Sequence, residues 1–333
     1  MKAMVYHRYG GPEVVTLAEV PKPVAKDNEV LIRIHAATVA TGDWRARSLD
    51  MPAGFRILAR PVFGIFGPRK PILGTELAGV IEAVGKAVTR FKVGDAVFAF
   101  PGAQYGAHAE YRTMPEDGLI ALKPANLSFE EAAALSFGGL NALGFLRGKG
   151  GIKRGDKVLI VGASGSVGSA AVQIAKHFGA EVTGVAGPGN ADLVRAIGAD
   201  RVIDYTREDF STTGETWDII LDTTATAPLA RVEKALKPGG RLLVVHGSFA
   251  QALGMERPAN GSGKKVIAGV VPIRAEDIRL LAEIAAAGGY RPVIDRSYPL
   301  EHAAEAHAYV DTGRKRGNVV LTVAEPAVAR QAA

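Results

Sequence analysis

VLIVGASGSVGSAAVQIAK, residues Val158 to Lys176, decides the fold. An apolar run without alternation stops at Gly162, and a small-residue helical pattern starts near Ser166. Gly162, Gly165 and Gly168 stand three apart across that junction. A tight strand-to-helix turn needs a residue without Cβ, and a pyrophosphate reaches the backbone only where side chains are absent. Free N–H groups and the helix dipole then hold the anion. Ser164 and the N–H groups of Ser166 and Val167 are expected to face it. A Gly-rich turn without a ligand is the plain alternative. It is disfavoured because the right strand precedes, the right helix follows, and further βα units lie downstream.

Working outward, EVTGVA (181–186), RVIDY (201–205), WDIILDTT (217–224) and GRLLVVHG (240–247) read as strands. ADLVRAIGAD and LARVEKALKPGG read as the helices between them. Non-alternating strands separated by helices indicate a parallel sheet covered on both faces, a doubly wound α/β domain of Rossmann type. The first 125 residues are instead β-rich, with VLIRIHAATV, ELAGVIEAVG and KVGDAVFAF punctuated by Gly and Pro. Residues 45–70 read as a long loop. NLSFEEAAAL starts a helix capped by Asn126 or Ser128, with Glu130 and Glu131 at its positive end. After residue 272 come a helix, a short strand, a second helix and the strand GNVVLTV, too little for a separate core. The expected organisation is therefore a β-rich domain of residues 1–124 and 272–333 with the dinucleotide-binding domain, 125–271, inserted. The last residues, EPAVARQAA, are expected to fray.

Bulk properties agree with a soluble, cytoplasmic protein of two domains: 333 residues, 47% hydrophobic, 22% charged. The absence of Cys excludes disulfides, thiolate zinc sites and cysteine nucleophiles. MKAMVYHRYGG lacks the apolar stretch expected of a signal peptide, and no uncharged apolar run reaches membrane-span length. The net charge of +6 is spread among 34 acids. The short basic clusters RGKGGIKRGDK and GRKRGN lack interleaved aromatics, so solvated surface is preferred to a nucleic-acid site.

The segment GASGSVG followed by AVQIAKHFGAEVTGV resembles the medium-chain dehydrogenase/reductase superfamily. EVPKPVAKDNEVLIRIHAATV, GTELAGVIEAVGKAVTRFKVGDAVFAF and ALKPANLSFEEAAALSFGGLNAL are similar to its GroES-like catalytic domain and junction. DRSYPLEHAAEAHAYVDTGRKRGNVVLTV resembles its C-terminal return. The likeness covers almost the whole chain and is greatest to the zeta-crystallin-like quinone oxidoreductases. It implies a homodimer acting by hydride transfer between NAD(P)H and a small electrophilic substrate.

Zinc-dependent relatives carry a Cys near Ala40 and a His at Thr75. A catalytic zinc needs three protein ligands and an open position, so no zinc is expected. His302 and His307, five apart on a helix, diverge and read as surface or interface residues. Hydride attack on an unactivated carbonyl calls for a Lewis acid. Quinones and α,β-unsaturated carbonyls bring their own electrophilicity, leaving position, dryness and hydrogen-bond donors to the protein. Many zinc-free relatives place an Asn at Ala40, so the proton donor is open. Thr41, Asp43, Phe63, Tyr105 and His108 are pocket candidates, with Asp43 alternatively a helix cap and His108 alternatively a core histidine. The segment Met51 to Pro71, with Phe55, Phe63 and Phe66, is a candidate substrate lid or, equally, a dimer contact or plain core packing.

Around the cofactor, the resemblance implies Asn141 near the nicotinamide and Asn318 reaching back from the C-terminal strand. Tyr205, Thr223, Thr224, His246, Gly247 and Ser248 lie at carboxyl ends of parallel strands, the ligand edge of open α/β sheets. After the second strand, an NAD-specific site would place an acid near Ala186. The chain instead has Gly187, Pro188, Gly189 and Asn190, where NADPH-using relatives show a hydroxyl and a cation. Arg195 and Arg207 are candidate cations. NADPH is the expected cofactor, with NADH the alternative. An alcohol dehydrogenase of the same superfamily and a non-catalytic nucleotide-binding sensor are the competing readings.

Overall fold

The computed structural model describes residues 1–51, 55–247, 251 and 261–323, with backbone only at 56–58. Its strands are β1 (Lys2–Val5), β2 (Thr16–Glu19), β3 (Glu29–Thr38), β4 (Leu77–Val84), β5 (Ala96–Ala99), β6 (Tyr111–Pro115) and β7 (Ile120–Leu122). There follow β8 (Lys157–Val161), β9 (Glu181–Ala186), β10 (Arg201–Asp204), β11 (Trp217–Asp222), β12 (Leu236–Val244), β13 (Lys265–Ala268), β14 (Ile294–Pro299) and β15 (Asn318–Thr322).

Strands β8 to β13 form one six-stranded parallel sheet in the order β10-β9-β8-β11-β12-β13. Its central strands are covered on both faces, which is why they read as unbroken Val, Ile and Leu. Val158, Leu159 and Ile160 of β8 and Ile219, Ile220 and Leu221 of β11 are all buried. The order reverses between β8 and β11, so their carboxyl ends splay apart and open the crevice where such sheets bind ligands. The sequence expectation of a doubly wound α/β unit is met.

The N-terminal strands build a seven-stranded sheet, β14-β15-β3-β4-β5-β7 with β6 also on β3. The C-terminal return joins it through β15, antiparallel to β3 with Val320 opposite Thr38. Apolar Val319, Val320 and Leu321 are buried on joining. The chain thus leaves the first sheet, completes the second and comes back.

Two local expectations are corrected. The supposed loop 45–70 starts inside helix Thr41–Ser48 and contains helix Arg56–Phe63, the second ending at Gly64 with φ 135° despite Pro61 in its last turn. The helix expected over LARVEKALKPGG is short, Leu229–Val232 and a 3-10 turn, because Leu236 is already drawn into β12. Ser128, not Asn126, caps Phe129–Ala133, its hydroxyl accepting from Glu131 N–H while Glu131 accepts from Ser128 N–H. No helix among the described residues is long and apolar enough to cross a membrane. The C-terminal EPAVARQAA lies outside the described residues.

Candidate active site

At the switch point, Gly162 turns the chain out of β8 with φ 80°, and a Cβ there would meet the side chains of Thr223 and Thr224. Gly168 packs on the same turn, where a Cβ would lie 2.0 Å from the Gly162 carbonyl oxygen. Gly165, where a Cβ would meet only the Gly162 carbonyl oxygen at 3.6 Å, is the N-cap of helix Ser166–His177, with no side chain capping it. The first N–H groups of a helix lack intrahelical partners, and here they border a cavity of about 280 Å³. Gly162, Ser164, Gly165, Ser166 and Val167 line it from one side, Thr223, Thr224 and His246 from the other. Thr223 Oγ1–H is spent on Val161 O at 2.8 Å, and Asp222 orders the turn by accepting from Thr224 and Ala227 N–H. A Cβ-free cradle against an uncapped helix N-terminus fits a dinucleotide pyrophosphate.

A second cavity of about 530 Å³ adjoins the first and shares Phe137, Val167 and His246 with it. Its walls are mainly aromatic and aliphatic, including Phe55, Phe63, Phe100, Phe145 and Val271. Phe63, Tyr105, Asn141, His246 and Gly247, all anticipated, line it, and Thr41 lines the phosphate-side cavity. Asn141 Nδ2–H donates to Phe137 O at 2.7 Å. Tyr105 is held at φ 53°, a strained conformation for a bulky residue. Phe66 points to solvent.

Other expectations do not hold in place. Asp43 lines neither cavity; as expected of the alternative reading it caps its helix, from the third helical position, fully buried and accepting from Ala40 N–H and Gly74 N–H at 2.8 Å each. Burial pushes its carboxyl up, with His108 and those N–H groups pulling it back. His108 is buried too, with Nε2 2.9 Å from Thr38 O, and lines neither cavity. His307 is no surface histidine: it packs edge-on against His108, ring centroids 5.6 Å apart, because its helix lays that face on the N-terminal sheet. Asn318 does not face the cavity. Its Oδ1 accepts from Ser166 Oγ–H at 2.6 Å and its Nδ2–H donates to Val293 O, so it ties the phosphate loop to β15. Gly317 N–H donates to Ser164 O beside it. Tyr205 is exposed beside the Gly187 turn, and Asn190 closes that turn through its N–H to Gly187 O. Arg195 is spent on Asp192. Ser248 lies outside the described residues.

Several site residues carry no sequence signal of their own. Arg45, from the helix after β3, lines the apolar cavity, and its Nη1 stands 3.4 Å from His246 Nδ1. Burial, then the charge of Arg45, lowers His246 to about 4. Lys315 lines the phosphate-side cavity, its pKa lowered by burial against the pull of Glu76 and Asp295. Arg316 Nη2 lies 3.7 Å from where a Cβ on Gly189 would sit.

Among the described residues no three His, Asp or Glu side chains gather as a metal-binding group. Thr75 and Ala40 are both buried and offer no imidazole or thiolate. The donor set therefore does not fit the family's catalytic zinc.

Comparison with known proteins gives the family. Residues 26–124 match the alcohol dehydrogenase GroES-like domain and 197–321 the zinc-binding dehydrogenase family. The chain is 34% identical to quinone oxidoreductase of Sus scrofa, over 92% of this chain and 93% of that one. It is 31% identical to the NADPH-dependent alkenal/one oxidoreductase of Arabidopsis thaliana, over 96% and 79%. A solved NAD-dependent alcohol dehydrogenase superposes with a TM-score of 0.83 at 30% identity, over 97% of this chain and all of that one. A GroES-like sheet closed by the C-terminal return, a six-stranded parallel sheet with its glycine turn, and full-length relatives together place this chain in the medium-chain dehydrogenase/reductase superfamily, in its zeta-crystallin-like quinone oxidoreductase group.

Proposed function

We propose that the protein is an NADPH-dependent, zinc-independent reductase of quinones or α,β-unsaturated carbonyls. One observation carries the reading: the aromatic-walled cavity opens onto the phosphate crevice at Phe137, Val167 and His246. A flat, apolar electrophile in the larger cavity would abut the end of a dinucleotide laid across the glycine turn. Relatives named as quinone oxidoreductase and alkenal/one oxidoreductase support this substrate class. The ligand positions filled by Ala40 and Thr75 support zinc independence, and make an alcohol dehydrogenase the weaker reading.

When bound, the reduced nicotinamide supplies a hydride. The glycine turn and the free N–H groups of helix Ser166–His177 would hold the pyrophosphate. Phe63, Phe100 and Phe137 exclude water and align the acceptor. Asn141, held by an amide N–H to Phe137 O, lines the larger cavity and would be the polar group there for a nicotinamide carboxamide.

The preference for NADPH rests on the turn after β9. Arg316 brings a guanidinium to Gly189, and the Tyr205 hydroxyl lies 3.3 Å from where a Cβ on Gly187 would sit. Together they supply the cation and hydroxyl that the turn lacks, suited to a 2′-phosphate.

Parallel titrations with NADPH and NADH, with 1,2-naphthoquinone and an alkenal as acceptors, test the reading. NADPH is expected to bind at least tenfold more tightly, about 1.4 kcal/mol, and Arg316→Ala to remove most of that gap. Tenfold tighter NADH overturns the cofactor preference. Activity abolished by a chelator and restored by zinc overturns zinc independence. Tight dinucleotide binding without turnover on any acceptor points to a nucleotide sensor.

A further inference from the structure

We propose that His246, held in one tautomer by Arg45, is the hydrogen-bond donor that stabilises the substrate oxyanion during reduction. The inference rests on the reductase reading and supplies a catalytic residue that reading lacks.

Position comes first. The imidazole lines both the phosphate-side cavity and the apolar cavity, so it stands at their junction. Asn141, one of whose two amide N–H groups is committed to Phe137 O, and Tyr105 line the apolar cavity alone, away from that junction.

Tautomer follows from the partner. Arg45 Nη1 stands 3.4 Å from His246 Nδ1. A guanidinium has only donors, so Nδ1 presents its lone pair and the proton sits on Nε2. No described residue accepts from that Nε2. Arg45 is itself a half-buried cation: among the described residues its buried Nε has no partner and no carboxylate lines the cavity with it. Asp50, the acid that acts on it, is exposed at the helix end. A neutral imidazole acceptor is thus what the site offers Arg45, and the pairing orients the ring.

Charge agrees with geometry. Burial, Arg45 and Lys315 keep the imidazole neutral, with Asp222 opposing. A neutral ring with a fixed N–H donates to an oxygen that becomes negative without first taking up a proton, and Arg45 behind it stabilises the charge.

The step balances. Hydride forms a C–H bond at the β-carbon of the enone and leaves the dinucleotide oxidised by two electrons. The C=C pair moves between the α- and carbonyl carbons, and the carbonyl π pair goes to oxygen. His246 Nε2–H donates to that enolate oxygen. Water then protonates the α-carbon, giving the saturated carbonyl compound and hydroxide, which buffer neutralises.

Two measurements test this. In the free protein, nitrogen-15 NMR of the histidines is expected to show His246 neutral with Nε2 protonated at pH 6 and 8 (either side of the ordinary histidine value), and Arg45→Met to mix the tautomers. A protonated Nδ1 or an imidazolium at neutral pH overturns the proposal. In the complete enzyme, at saturating dinucleotide, His246→Leu is expected to lower kcat roughly 100-fold while thermal melting is retained, with partial rescue in His246→Gln. Unchanged kcat with weakened dinucleotide binding makes His246 a packing residue and overturns the role. No turnover by the wild-type protein on any quinone or enone overturns the reductase reading and this role together. Wild-type turnover matched by His246→Leu overturns the role alone.

Discussion

Glu76 sits fully buried where β4 begins against the helix Ser136–Leu143, accepting from Thr38 Oγ1–H and Phe137 N–H. Burial pushes its carboxyl up to about 7, with those two hydrogen bonds pulling it down. In the unfolded chain it titrates near the ordinary 4.5. Because the folded value is the higher one, the native state holds the extra proton between the two. Stability from this group is therefore greatest below pH 4.5 and falls as pH rises towards 7, by about 3 kcal/mol at most. Glu76→Gln cannot titrate. Urea unfolding of both proteins at pH 5 and pH 8 is expected to show a wild-type loss across that interval that is smaller in the variant. Equal losses would assign the pH dependence elsewhere.

The glycine turn is an element whose three glycines answer to three different constraints. Gly162 needs its left-handed backbone, Gly165 leaves open the space bordering the cavity, and Gly168 lies against the Gly162 carbonyl. Gly168→Ala sets a Cβ against backbone that cannot swing aside, so a loss of about 2 kcal/mol or more is expected, together with dinucleotide binding. Gly165→Ala has its nearest contact at 3.6 Å and an ordinary φ of −79°. It is expected to melt close to wild type yet bind dinucleotide more weakly, because its methyl enters the cradle. Thermal melting and dinucleotide titration of the pair check this, and a Gly168→Ala protein that melts like wild type would refute it. This turn was legible in the sequence because its rules are local: strand, glycine spacing, helix. The helix Arg56–Phe63 was not, since Pro61 and the flanking Gly and Pro residues read as loop punctuation. The pairs Arg45–His246 and Ser166–Asn318, 201 and 152 residues apart, carry no local pattern at all. Nor does the burial of His307, which depends on which face its helix lays on the sheet. The carboxyl edge of the parallel sheet, where the cavity lies, could be read ahead, whereas the inward side chains contributed by the other domain could not.

At the scale of the whole molecule, the two sheets are joined where the ligand would lie. The C-terminal return enters β15 through Gly317 and Asn318. Gly317 N–H holds Ser164 O at 2.7 Å, and the Asn318 amide bridges Ser166 Oγ to Val293 O. The strand that completes the N-terminal sheet therefore also fixes the loop at the head of the parallel one. Asn318 lines neither cavity, so any effect of its loss on ligand must travel through Ser166. Asn318→Ala leaves the Ser166 hydroxyl and the Val293 carbonyl without this partner in a buried setting, expected to cost about 1–3 kcal/mol. A loosened loop presents its N–H groups less well, so dinucleotide affinity should fall as well, although no direct contact is removed. Melting with and without NADPH separates the two effects. A ligand at 100 times its Kd stabilises the native state by about 2.7 kcal/mol, and at the same NADPH concentration the variant should gain less than the wild type. If the variant is destabilised but gains as much from NADPH, Asn318 serves the fold alone and the coupling of the C-terminal return to the phosphate loop is refuted.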